Sequence, residues 1–217
     1  MKSSIPGPLQ KRQPAPPPSV YHEQKRLFDL LAVIASLPLT LPVLALCAIA
    51  VKLSSPGPVL FRQPRTGQHG RPFAMLKFRS MVNNASALKD ELKASRGMNG
   101  PDFKLVNDPR VTRVGALLRK LSLDELPQLW NVLRGDMSLV GPRPTSFGPA
   151  TYTLWHTERL EAKPGLTGLW QVEKRGDLDF DERARLDIAY LRHRSLRLDL
   201  WIFLRTIPAV LLRQGAY

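Results

Sequence analysis

The stretch LLAVIASLPLTLPVLALCAIAV, residues 30–51, decides how this chain of 217 residues is organised. It carries no charge and is longer than the about 20 apolar residues that reach across a bilayer. Pro38 and Pro42 fall near its middle, and each removes a backbone donor and bends a helix. Two shapes follow: a simple span with a kink, or a helix that breaks and re-enters on the side it left. The flanking charges bear on the choice. Lys11, Arg12, Lys25 and Arg26 lie upstream, and Lys52, Arg62, Arg65 and Arg71 downstream. Lys and Arg near membrane ends favour the cytoplasmic side. A span sends one of these clusters outward, whereas re-entry keeps both inside, so the flanks favour re-entry. Carbonyls freed by the prolines then need partners, which Ser36, Thr40 or nearby protein can supply.

A cleaved signal peptide fits poorly, because the run starts late and is followed by KLSSP rather than a small-x-small cleavage site. The single cysteine, Cys47, lies inside the run, so an intrachain disulfide is excluded and a reducing compartment suits the remainder. Lys and Arg total 32 against 18 Asp and Glu, a formal charge of +14, which calls for an anionic partner. Beside an apolar segment the cheapest such partner is anionic lipid. Nucleic acid is disfavoured: no helix-turn-helix, zinc or RNA-binding signature occurs.

Residues 1–20 are Pro-rich and read as a disordered head, with the membrane helix-break-helix at 21–54 and a catalytic-size domain at 55–217. Residues 59–63 and 73–78 read as short strands joined across the turn at 66–70. Helices are expected at 81–95, at 114–120 with Leu117, Leu118 and Leu121 on one side, and at 150–161, 179–194 and 197–213. A further helix starts at Asp124 or Glu125 and stops before Gly135, since Pro127 is tolerated only in a first turn. Residues 97–109 and 163–168 read as loops. The last helix mixes Trp201, Phe203 and aliphatic residues with Arg197, Arg205 and Arg213. That suits either the membrane interface or docking on the domain's own core. The fold class is α/β, mostly helical: a re-entrant membrane helix plus a small domain with short strands and interfacial amphipathic helices.

The strongest chemical candidate is LSLDELPQ, residues 121–128. A carboxylate at a helix start stays ionised there, and bound anions are attracted. An ionised Asp124 can attack phosphorus, and adjacent Glu125 can help hold a hard cation such as Mg2+. Taken alone, the same residues also make a capping box of Ser122 with Glu125. In GDMSLVGPRP, residues 135–144, two prolines fix the backbone around Arg143, whose planar fork suits phosphate oxygens. Lys77, Arg79 and Arg119 are further basic candidates, each of which alone also reads as a solvated charge. Four scattered histidines and one cysteine give no zinc pattern, and no Walker loop or GxGxxG is present.

In their order these segments resemble the bacterial sugar transferase family, the monotopic polyprenyl-phosphate phosphoglycosyl transferases. The likeness covers about residues 25–213 and is carried by KRLFD (25–29), KFRSM (77–81), LSLDELPQLWNVL (121–133), GDMSLVGPRP (135–144) and PGLTG (164–168). Five ordered motifs are far more specific than one, and they displace the capping-only reading of Asp124. The resemblance implies transfer of a sugar-1-phosphate from a UDP-sugar to undecaprenyl phosphate, releasing UMP. It implies Asp124 as nucleophile in a ping-pong sequence, Glu125 assisting with Mg2+, and Arg119, Arg143 and Arg175 as phosphate-binding residues. Its anchor is a re-entrant helix that holds the active site at the cytoplasmic face of the bacterial inner membrane. The implied partners are the nucleotide-sugar, the polyprenyl phosphate and membrane lipid, with a homodimer open to it and no nucleic acid.

Two departures stand out. Pro42 matches the family's helix-breaking proline, but Leu41 stands where a serine precedes it. Gln171-Val172 is followed by Glu173-Lys174-Arg175, without the usual glycine before the arginine. The chain also lacks the extra N-terminal membrane helices of larger members and so looks like a minimal catalytic unit. A rival function is a basic membrane-surface adaptor that binds anionic lipid or glycan without catalysis.

Overall fold

The computed structural model describes residues 18–85, 87–88, 105, 108–145, 153–173 and 179–211. Most of the expected head, most of the helix at 81–95 and the loop at 97–109, and Arg175 lie outside the described residues. The described part is mostly helical with short strands. Helix α1, Pro18–Ser54, takes in the whole apolar run and both prolines within 37 residues. It begins three residues before the expected membrane unit and ends where that unit was expected to end. Straight, it would be about 55 Å long at about 1.5 Å per residue.

One face of α1 is packed only at its ends. Near the start, Tyr21, Lys25, Asp29 and Val33 are buried, and near the finish Cys47 and Val51. Between them Ile34, Leu39, Leu41 and Leu46 are 54–76% exposed. Val33 joins a cluster with Met75, Val132, Met137, Tyr190 and Ile202, and Cys47 and Val51 join a second with Phe78 and Leu118. Both ends of the apolar run therefore rest on the same body, with packing resuming at Val43 and Leu44, while Pro38, Leu39, Leu41 and Pro42 between them are exposed. Pro38 and Pro42 free the carbonyls of Ile34 and Pro38, one turn back. The expected hydroxyls do not serve those atoms: Ser36 Oγ donates to Val33 O at 2.7 Å and Thr40 Oγ1 to Ser36 O at 3.0 Å. Such back-bonding bends helices from the inside.

Strand β1, Leu60–Thr66, pairs antiparallel with β2, Pro72–Phe78, around a 3-10 turn at Gln68–Gly70. Helix α2, Arg113–Lys120, starts at Thr112, whose hydroxyl accepts from Gly115 N at 2.9 Å. Leu118 is buried on α2, whereas Leu117 is 56% exposed, so the expected one-sided leucine face is narrower. Next come α3, Gln128–Arg134, and β3, Ser138–Val140. Residues 154–161, expected to be α-helical, form a 3-10 helix instead.

The expected loop at 163–168 contains β4, Gly165–Thr167, which runs parallel to β3. The sequence hid this pair because each strand has three residues and all of β3 is buried, leaving no alternation to read. Glycines make the approach feasible: a Cβ on Gly165 would sit 2.2 Å from Gly141 N. Helices α4, Leu169–Glu173, α5, Phe180–His193, and α6, Leu196–Leu211, close the fold. On α6, Leu198, Asp199 and Ile202 dock into the core while Leu200, Leu204 and Ile207 stay exposed. Docking accounts for one face of α6, and an apolar face is left over.

Candidate active site

Asp124 and Glu125 lie in a 3-10 turn, Leu123–Glu125, between α2 and α3. Neither begins a helix, since α3 starts only after Pro127. The capping-box alternative fails as well: Ser122 is in the left-handed region (φ 56°) and makes no cap hydrogen bond. A serine held there reverses the chain in one residue, at some backbone cost. That reversal sets Asp124 inward at 8% exposure.

Three cations converge on the two carboxylates. Lys77, near the end of β2, donates Nζ to Glu125 Oε1 at 2.7 Å. Arg143, in the loop after β3, meets Glu125 with both terminal nitrogens, at 3.2 Å and 2.5 Å. Arg119, in the last turn of α2, donates Nε to Ser80 Oγ at 2.8 Å, and its charge acts on Asp124. Glu125 is thus locked by its neighbours, whereas Asp124 accepts no hydrogen bond from any described residue. Burial raises the Asp124 carboxyl above its ordinary pKa, with Lys77 pulling against it and Glu125 adding to it. Burial pushes Glu125 the same way, but Arg143 and Lys77 together outweigh it and hold Glu125 ionised well below the carboxylate range.

Residues that the sequence reading passed over hold this set in place. Asn131 on α3 donates to Ala74 O at 2.8 Å and accepts from Leu76 N at 3.0 Å, so its amide pairs with the free edge of β2 beside Lys77. Arg159 donates to Arg143 O at 2.7 Å and ion-pairs with Asp187, both side chains being almost wholly buried. No local pattern marks either residue for this role, because the backbone groups they hold lie 16 to 57 residues away. Arg79 stands apart from the other candidates. It donates to Ser55 O at 2.7 Å and to Val51 O at 3.3 Å, closing the C-terminal end of α1.

The carboxylates can hold a divalent cation only in one way. Glu125 Oε1 already accepts two donors, Oε2 accepts one at 3.2 Å, and Asp124 accepts none. That leaves room for a hard cation that takes one or two carboxylates and completes its shell with water and phosphate oxygens. Among the described residues no three His, Cys, Asp or Glu side chains gather, so a cage made by protein alone is absent.

The model of the family described as bacterial sugar transferase matches residues 20–213. The chain belongs to that family. The resemblance read from five motifs is borne out. The UDP-galactose-lipid carrier transferase of Erwinia amylovora is 44% identical over 198 residues, which is 89% of this chain and 41% of that protein. The UDP-glucose:undecaprenyl-phosphate glucose-1-phosphate transferase of Caulobacter vibrioides is 46% identical over 203 residues, 89% of this chain and 72% of its own. The exopolysaccharide production protein ExoY of Rhizobium meliloti is 43% identical over 205 residues, 89% and 88% of the two chains. This family member spans about two fifths of the length of the Erwinia relative.

Proposed function

We propose that this family member transfers a sugar-1-phosphate from a UDP-sugar to undecaprenyl phosphate, through a covalent intermediate on Asp124. The observation that carries the reading is a buried Asp124 carboxyl that no described residue bonds, set among Lys77, Arg119 and Arg143. An Asp124 oxygen attacks the sugar-bearing phosphorus, and the bond from that phosphorus to the bridging oxygen breaks. UMP leaves with the electron pair. A phosphate oxygen of the lipid then attacks the aspartyl phosphosugar, releasing Asp124 as carboxylate and giving the polyprenyl diphospho-sugar. Three cations against two carboxylates leave the site positive before substrate enters, which suits the charge that develops in phosphoryl transfer. Glu125 keeps Lys77 and Arg143 aimed. Glu125 Oε2 and Asp124 would hold Mg2+, which when bound neutralises diphosphate charge.

The same reading makes α1 re-entrant and sets the body at the cytoplasmic face. It is supported by the basic residues at both ends of the run and by the packing of both ends on one body. The test uses the purified chain with Mg2+, undecaprenyl phosphate and a panel of UDP-sugars. UMP release is expected with at least one sugar and is abolished in Asp124→Asn. A UDP-sugar labelled in the sugar-bearing phosphate, given without lipid, should leave label on the wild-type chain and none on the variant. No UMP with any UDP-sugar would favour the membrane-surface adaptor instead.

A further inference from the structure

A cavity of about 200 Å³ opens between the first turns of α1 and the segment leading into β4. One water needs only ~10–15 Å³ of such space. Lys25, Arg26, Lys163 and Arg194 line it, and Asp29 is the carboxylate among its lining residues. Two of the four cations are already engaged. Lys25 pairs with Asp199 at 3.0 Å, and Arg26 donates to Val132 O and Leu133 O, at 2.6 and 2.7 Å, in the last turn of α3. Asp29 accepts from Leu139 N at 3.0 Å. Lys163 and Arg194 differ from these, since among the described residues neither forms a hydrogen bond or ion pair. Arg194 lies over the Tyr21 ring, 5.8 Å from its centroid, which restrains the guanidinium. Burial, with the Arg26 charge beside it, lowers the Lys163 ammonium below its usual pKa.

The cavity is separate from Asp124. Gln68 at the tip of the β1–β2 hairpin borders it, while Lys77 lies at the other end of β2. From Pro72 to Lys77 the strand runs about 17 Å at about 3.4 Å per residue. It is also level with the start of the apolar run, because Asp29 is followed directly by Leu30. Head-group phosphates occupy the layer just outside the hydrocarbon core.

We propose that this cavity is a second anion site, distinct from the Asp124 site, which takes a phosphate group presented by a membrane phospholipid head group. Lys163 supplies a point charge and Arg194 a planar fork, the two complementary ways in which side chains hold phosphate oxygens. The inference uses the membrane placement of α1 and not the transfer reaction, so either can fail alone.

Lys163 itself reports occupancy, through its rate of acylation measured by peptide mass spectrometry on the full chain in maltoside micelles, which carry no phosphate. Phosphatidylglycerol, a diacylglycerol with the same tails, and inorganic phosphate are added separately. Phosphatidylglycerol should slow acylation of Lys163 about ten-fold once it exceeds its Kd about ten-fold, with Lys52 unchanged. Diacylglycerol should do nothing. In an Arg194→Gln chain with unchanged melting temperature the protection should be lost. Equal protection by inorganic phosphate would keep the phosphate site and remove the lipid as its source. Equal protection by diacylglycerol, or none by any addition, would overturn the proposal.

Discussion

At Asp124, burial opposes the ionised form, which the proposed attack on phosphorus requires. The rate should fall as pH drops through the raised Asp124 pKa, so the acid limb of the kcat/KM profile should lie above the ordinary aspartate range. The sign for stability is opposite. A group whose folded pKa is raised binds its proton more tightly when folded, so ionising it costs stability as pH rises. Asp124→Asn should therefore melt no lower than the wild-type chain at neutral pH, while its UMP release is gone. A large drop in melting temperature would mean that Asp124 holds the turn together. Arg143 makes the opposite case, since its fork meets both Glu125 oxygens. Arg143→Lys keeps the charge and loses the two-point contact, so kcat should fall by about ten-fold or more with the fold retained.

Among the elements, α2 and β2 carry Arg119 and Lys77, and contacts along their backbones set where those cations start. Gly115 is where α2 meets Ser80, and a Cβ there would lie 2.0 Å from Ser80 O. Gly115→Ala should cost about 1–3 kcal/mol by overpacking. It should also lower kcat, because Ser80 holds Arg119. Asn131→Leu strips two hydrogen bonds from the edge of β2 and should cost about 2 kcal/mol, read by thermal unfolding. For α1 the decisive measurement is labelling. Single cysteines at positions 11 and 52, in a Cys47→Ser background, should both react only from the cytoplasmic side; opposite sides would refute re-entry.

At the scale of the whole molecule, the buried carboxylate of Asp199 on α6 bridges three helices. It accepts from Tyr21 at 2.8 Å, Lys25 at 3.0 Å and Tyr190 at 2.6 Å, and so joins α1 to α5 and α6. Lys25→Met leaves that charge buried without its cation and should cost about 3–5 kcal/mol. Its melting temperature should drop further than that of Arg26→Met, whose partners are carbonyls at a helix end. Sequence by itself determined the apolar run and its prolines, the β1–β2 hairpin, the helices expected at 114–120, 179–194 and 197–213 and found at 113–120, 180–193 and 196–211, and the motifs that named the family. These are local: composition, period and turn residues set them within a few residues. Only the tertiary structure decided that both ends of α1 rest on one body, that β3 pairs with β4, and that Asp124 sits in a 3-10 turn rather than at a helix start. It alone parted Arg79, which caps α1, from Lys77, Arg119 and Arg143. Each of those outcomes depends on side chains and backbone far apart in the chain, whose energies exist only once the core has brought them together.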